Sequence, residues 1–202
     1  MQPPLRIEAL TPGHRDDYLR FFDHERGAAF ADNPEWARCY CHFYHVPPSM
    51  DWEAFGAEAN RIAIAARIDV GEMEGFLAYA GEEVVGWVNA QTLAKLQHCW
   101  ARLQISRPAA EFPLAALAAI VCFVIAPEWR RRGVARALLQ GALASFAARG
   151  VRRVYAFPFN ATDAAPTAHY HGPRALFAEA GFTVLESTAR ITLMARDLSP
   201  ES

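Results

Sequence analysis

The sequence predicts an α/β protein built on a mixed sheet of about six to seven strands. Three observations predict it. The run Leu117 to Ile125 is unbroken, apolar and rich in β-branched residues, as a strand buried on both faces should be. It leads within a few residues into an amphipathic stretch that closes at Arg149-Gly150, a helix C-terminus. Short apolar segments bounded by turn residues lie on both sides of this pair. With 202 residues, 52% of them hydrophobic and 21% charged, the chain is long enough for one sizeable core, and residues 1–202 are expected to form a single domain.

In order, Leu5 to Leu10 reads as a first strand. Thr11-Pro12 then starts a helix over His14 to Phe22, with Tyr18, Phe21 and Phe22 as its apolar face. Residues 23–75 are the unusual part. Ala31 to Pro34 reads as a turn, and the aromatic, cysteine-rich Trp36 to Tyr44 reads as extended. Ser49 or Asp51 should cap a helix running to about Ile68, and Gly71 to Gly75 is a turn. Phe76–Tyr79 and Val84–Ala90 form a hairpin around Gly81. Thr92 to Pro113 reads as a polar surface connection. After the central strand and helix come a strand at Val151 to Pro158, a loop at 160–167 and a short helix at Arg174 to Ala180. Val184 and Ala189 to Arg196 mark the last two strands.

The central junction carries the chemistry. Ala126-Pro127 stops the strand, since proline cannot donate to a ladder. Gly133 stands where the helix opens, and Ala135, Leu138, Leu139, Ala142 and Phe146 make one apolar stripe along it. The first amides of a helix lack internal partners and sit at the positive end of its dipole. Arg130, Arg131, Arg132 and Arg136 add charge at the same place, and Gly133 and Ala135 are small where a ligand must come close. This suits a phosphate or diphosphate. The spacing is neither G-x-x-x-x-G-K-[ST] nor G-x-G-x-x-G.

The pattern Arg130-x-x-Gly133-x-Ala135 resembles the acetyl-CoA signature R/Q-x-x-G-x-G/A of the GNAT acetyltransferase superfamily. The strand before it and the helix after it fit the same resemblance. It implies a GNAT-type mixed, partly splayed sheet of about six to seven strands with helices on both faces. It also implies a diphosphate-binding loop at Arg131, Arg132, Gly133, Val134, Ala135 and Arg136. Phe123, Val124 and Ile125 would be the strand end that faces the pantetheine arm. Residues 23–75 would be the variable, acceptor-side segment. The segment RALFAEAGFTVLE resembles the superfamily's C-terminal Y-x-x-x-G-F motif, with one departure: Phe177 stands where a catalytic tyrosine is common.

Phe177 has no proton to give, so Tyr170 and His171, just before the same helix, are the candidate catalytic acids, with His169 beside them. No base stands out; Glu72, Glu74 and Glu111 are the carboxylates in range, and a water chain is the alternative. Cys39-x-Cys41 with His42 and His45 suggests a zinc site. The spacing is wrong, and a strand would turn His42 away from the two cysteines, so no metal is expected. The four cysteines, at 39, 41, 99 and 122, do not make a disulfide framework.

Net charge of −2 argues against broad nucleic-acid binding. No apolar run is long enough to span a bilayer and no signal segment opens the chain, so a cytoplasmic location is expected. The resemblance thus implies an enzyme that uses acetyl-CoA as cosubstrate and transfers acetyl directly to an amine, with a small-molecule acceptor favoured over a protein. Association into a homodimer stays open. The alternative on the same fold is a non-catalytic acyl-CoA sensor.

Overall fold

The computed structural model describes residues 4–23, 28–109, 111–160 and 169–198. The part of the predicted 160–167 loop after Asn160 lies outside them. Twelve elements follow one another: β1 (Leu5–Ala9), α1 (Arg15–Phe22), α2 (Ala57–Asp69), β2 (Phe76–Ala80), β3 (Glu83–Thr92), α3 (Cys99–Leu103), β4 (Leu117–Ile125), α4 (Val134–Ala148), β5 (Arg153–Ala156), α5 (Arg174–Glu179), β6 (Thr183–Ser187) and β7 (Thr192–Asp197). The seven strands make one sheet in the order β1-β2-β3-β4-β5-β7-β6. Among the described residues only β4 and β5 are parallel neighbours, and α4 makes the crossover between them. The mixed α/β sheet of six to seven strands expected from the sequence is therefore observed.

One face of the sheet carries α4 and α5. Leu138, Leu139, Ala142 and Phe146 pack with Ala118, Ile120, Phe123 and Val154. Gly86 on β3 makes this close packing feasible: a β-carbon there would stand 2.7 Å from Val134 Cγ1 and 3.0 Å from Ile125 Cδ1. The start of α4 is thereby seated on β3. The other face carries α1 and α2, with Tyr18 edge-on to Trp87 at 4.9 Å, and further along, α3 with Tyr155 and Phe157.

The central strand is bulged. Asn89 pairs with Cys122 and Ala90 with Ile120, so Val121 is an extra residue. Side-chain alternation slips there: Ile120 and Phe123 face α4, while Val121, Cys122 and Val124 face away. A bulge bends its strand and adds twist. Pairing with β5 ends at Ile120↔Ala156, immediately before the bulge. The bulge thus accounts for the separation of β4 from β5.

Three expectations need correction. Trp36 to Tyr44 is not extended: it lies in two 3₁₀ turns, Pro34–Cys39 and Phe43–His45, joined by left-handed Tyr40 (φ 45°) and Cys41 (φ 52°). The reason is burial. A strand hides alternate residues on one face, whereas the turns bury Ala37, Tyr40, Cys41, Tyr44 and His45 together. The helix expected from Ser49 or Asp51 begins instead at Ala57, with Gly56 before it; Asp51 caps only a short turn, accepting from the Glu53 amide at 3.0 Å. The 92–113 connection is not a polar surface strap. Leu93, Leu96, Cys99, Trp100, Leu103 and Ile105 are buried against the sheet.

Candidate functional site

Beyond Ile120, β4 continues to Ile125 with one edge unpaired by β5. The Ala126 amide bonds the Val85 carbonyl on β3. By alternation, the backbone groups of Phe123 and Ile125 therefore point to the open edge. Two of those groups are occupied. The Phe123 amide donates to the Tyr170 carbonyl at 2.5 Å, and the Ile125 carbonyl accepts from Arg130 Nε at 3.2 Å. The Phe123 carbonyl and the Ile125 amide meet no partner at that edge among the described residues.

Gly133 caps α4 in the left-handed conformation (φ 83°, ψ 0°), and Arg131 is also left-handed (φ 59°). A β-carbon on Gly133 would touch nothing within 4 Å, so conformation and not crowding demands glycine there. Among the described residues, no backbone or side-chain group accepts from the amides of 131–136. Those amides, at a helix N-terminus, make a cradle suited to an anion.

A groove of about 810 Å³ runs from this cradle along the β4 edge to α5. Of the expected cofactor-binding residues, it brings together Phe123, Val124, Ile125, Arg131, Gly133, Val134, Ala135 and Arg136. Arg132 does not line it; its guanidinium lies 5.7 Å over the Trp129 ring. Arg130 does not face the groove's phosphate end as a free charge. It forms a two-pronged pair with Asp32, at 2.5 and 2.9 Å, which holds the Asp32 carboxyl below its ordinary range. Arg136 pairs with Glu179 across the groove mouth. Ala29, Phe30, Gly172 and Leu176 complete the walls. Sequence reasoning missed these four and Asp32, since nothing local marks them.

The candidate acids separate in space. Tyr170 lines the groove, half-buried, with Trp36 and Phe159 edge-on to its ring at 5.2 and 5.4 Å. Burial pushes its phenol up, so it carries its proton at neutral pH. His169 also lines the groove. His171 is 1% exposed and faces inward, with Nε2 3.1 Å from the Tyr44 hydroxyl and Nδ1 unpartnered. Burial, then the Arg190 charge, brings it down to about 3, so it is neutral. Gly172 (φ 81°) turns the chain after it; a β-carbon there would press on Phe177 and Phe123 at 3.0 and 3.1 Å. Phe177 is fully buried between Phe123 and Phe182.

The carboxylates considered as bases lie elsewhere. Glu74 is held by Arg149, Lys95 and the Thr92 amide, and Glu111 contacts Arg153. Glu72 does not line the groove. Cys41 and Cys122 are free thiols buried in the core, and a hydrogen bond toward Cys122 together with burial holds the Cys41 thiol high. Among the described residues, no three metal-ligating side chains converge, and no helix is long and apolar enough to cross a membrane.

A splayed strand pair beside a glycine-capped helix defines an acyltransferase architecture, and the comparisons agree. The sequence model of the acetyltransferase (GNAT) family matches residues 34–182. The chain belongs to that family and is an enzyme of the N-acetyltransferase class. No curated protein matches it. Among solved structures, it is similar to an acetyltransferase from Thermus thermophilus, at 20% identity and a TM-score of 0.55, over 98% of this chain and 100% of the other. It is also similar to the PaiA N-acetyltransferase of Thermoplasma acidophilum in complex with coenzyme A, at 11% identity, TM-score 0.55, 96% and 99% coverage. A third is the ribosomal-protein-S18-alanine N-acetyltransferase of Escherichia coli, at 14% identity, TM-score 0.52, 98% and 97% coverage. At these identities the likeness is one of fold.

Proposed function

We propose that this enzyme binds acetyl-CoA in the β4–α4–α5 groove and transfers acetyl directly to the amine of a small molecule. The observation that carries this is the row of unpartnered amides at 131–136 opening into a groove along an unpaired strand edge. A diphosphate suits the cradle by charge and by donor supply. Arg131 lines it and adds charge, and Arg136 lines it too, paired with Glu179. The Ile125 amide and Phe123 carbonyl are the backbone groups available to an amide-bearing arm laid along β4.

In the transfer, the acceptor nitrogen bonds the acyl carbon and the carbon–sulfur bond breaks. The amine gives its proton to water, the leaving sulfur takes one from Tyr170 Oη, and the phenolate regains its proton from that water. Most of the acceleration is positioning of the two reactants. The Phe123 amide is the natural donor to the acyl oxygen, so the Tyr170 carbonyl must yield that bond when the acyl group arrives.

The same bond favours a second reading, an acyl-CoA-binding module without turnover, in which the Phe123 amide stays occupied. Release of free thiol from acetyl-CoA in the presence of amines separates the two. Calorimetry with CoA tests both. Binding that Gly133→Glu abolishes is expected; no binding at millimolar CoA, or unchanged binding in that variant, overturns the assignment of the cradle.

A further inference from the structure

We propose that the acceptor is a compact aromatic amine bearing a carboxylate, received by Trp36, Phe159 and Tyr170 with Arg190 at the rim. This rests on the acyl-transfer reading and deepens it. Tyr170 lines the groove together with Phe123 and Val124, beside the open edge of β4 where an acyl group would be presented. Trp36 and Phe159 meet the Tyr170 ring edge-on, at interplanar angles of 90° and 89°. All three are only half-buried and offer ring surface to an incoming planar group.

Among the described residues the charge around the cluster is one-sided. Arg190 is exposed and lies 5.3 Å over the Phe159 ring. Among the described residues no carboxylate pairs with its guanidinium, although its backbone is anchored by Asn160 and Thr188. Its charge is felt at both Tyr170 and His171, and among the described residues no acidic side chain acts on either. A guanidinium that meets no carboxylate among the described residues is a fork for one on a ligand. A polyamine or a lysine side chain would instead need carboxylates to hold its ammonium.

The same field answers the missing base. An amine attacks only when neutral. Apolar rings and a nearby cation both disfavour the protonated form, and an amine on an aromatic ring is already weakly basic. Such an acceptor needs only water to take its proton after the new N–C bond forms.

The test uses the purified chain with acetyl-CoA and reads thiol release with para- and meta-aminobenzoate, ethyl para-aminobenzoate and spermidine, while calorimetry follows CoA alone. An aminobenzoate should exceed both its ester and spermidine in kcat/KM by about fivefold, the worth of one exposed charge pair. Arg190→Gln should raise KM for the acid about fivefold and bring acid and ester within about twofold of each other. Preference for spermidine, equal use of acid and ester, or no turnover of any amine by protein that binds CoA overturns the proposal and leaves the cofactor site standing. Failure to bind CoA overturns both.

Discussion

Arg130 and Asp32, 98 residues apart, grip each other through two hydrogen bonds, and the same guanidinium holds the last carbonyl of β4 through Nε. Arg130 is thus a brace between the segment that follows α1 and the end of β4. It holds Ala29 and Phe30, which precede Asp32, against the groove. Asp32→Asn should weaken CoA binding by up to about fivefold, since a partly exposed pair is worth at most about 1 kcal/mol. The defect should shrink in high salt, where the wild-type pair is itself screened. Unchanged calorimetry at low salt would show that the brace carries nothing.

Tyr170→Phe keeps the ring, and with it the Trp36 and Phe159 contacts and the backbone bond to Phe123. It removes only the proton. If the phenol protonates the leaving thiolate, kcat should fall by about 10² or more with little change in KM for acetyl-CoA. A kcat within about threefold of wild type would assign Tyr170 to packing alone.

Gly86→Ala places a methyl 2.7 Å from Val134 Cγ1, at the first turn of α4. Overpacking of this kind costs about 1–3 kcal/mol, to be read from urea unfolding. Because the shifted turn also carries the anion cradle, CoA affinity should drop together with stability. Gly133→Ala differs: nothing crowds it, but a left-handed alanine costs about 1–2 kcal/mol. Stability loss without an affinity change in Gly86→Ala would uncouple α4 packing from the site.

His45 and His171 are both brought down to about 3, chiefly by burial, from an ordinary value of about 6.5. Between those values the unfolded chain binds more protons than the native one. Stability is therefore full above about pH 6.5 and declines as pH falls, by up to about 1.4 kcal/mol per unit for each histidine. His171→Phe should remove one such contribution, giving a shallower dependence of unfolding free energy between about pH 7 and pH 5. Parallel slopes for the two proteins would show that His171 is already protonated in the folded state.

The sequence by itself determined the strand–turn–helix core of the site. The apolar run, the stop at Pro127, the left-handed Gly133 and the α4 stripe are contiguous, and each acts through its own backbone preference or periodicity. That suffices to place the amide cradle and the β4 end. Tertiary structure alone decided the rest. The bulge at Val121 shows in no local pattern, yet it accounts for the parting of β4 and β5. The WARCYCHFY segment has strand composition, but burying Ala37, Tyr40, Cys41 and Tyr44 together demands turns. The Arg130–Asp32 brace, the Tyr170 carbonyl on Phe123 and the sorting of Tyr170 to the groove and His171 to the core all join distant stretches of chain. Such pairings depend on which surfaces the packed sheet leaves open, and no window of neighbouring residues carries that information.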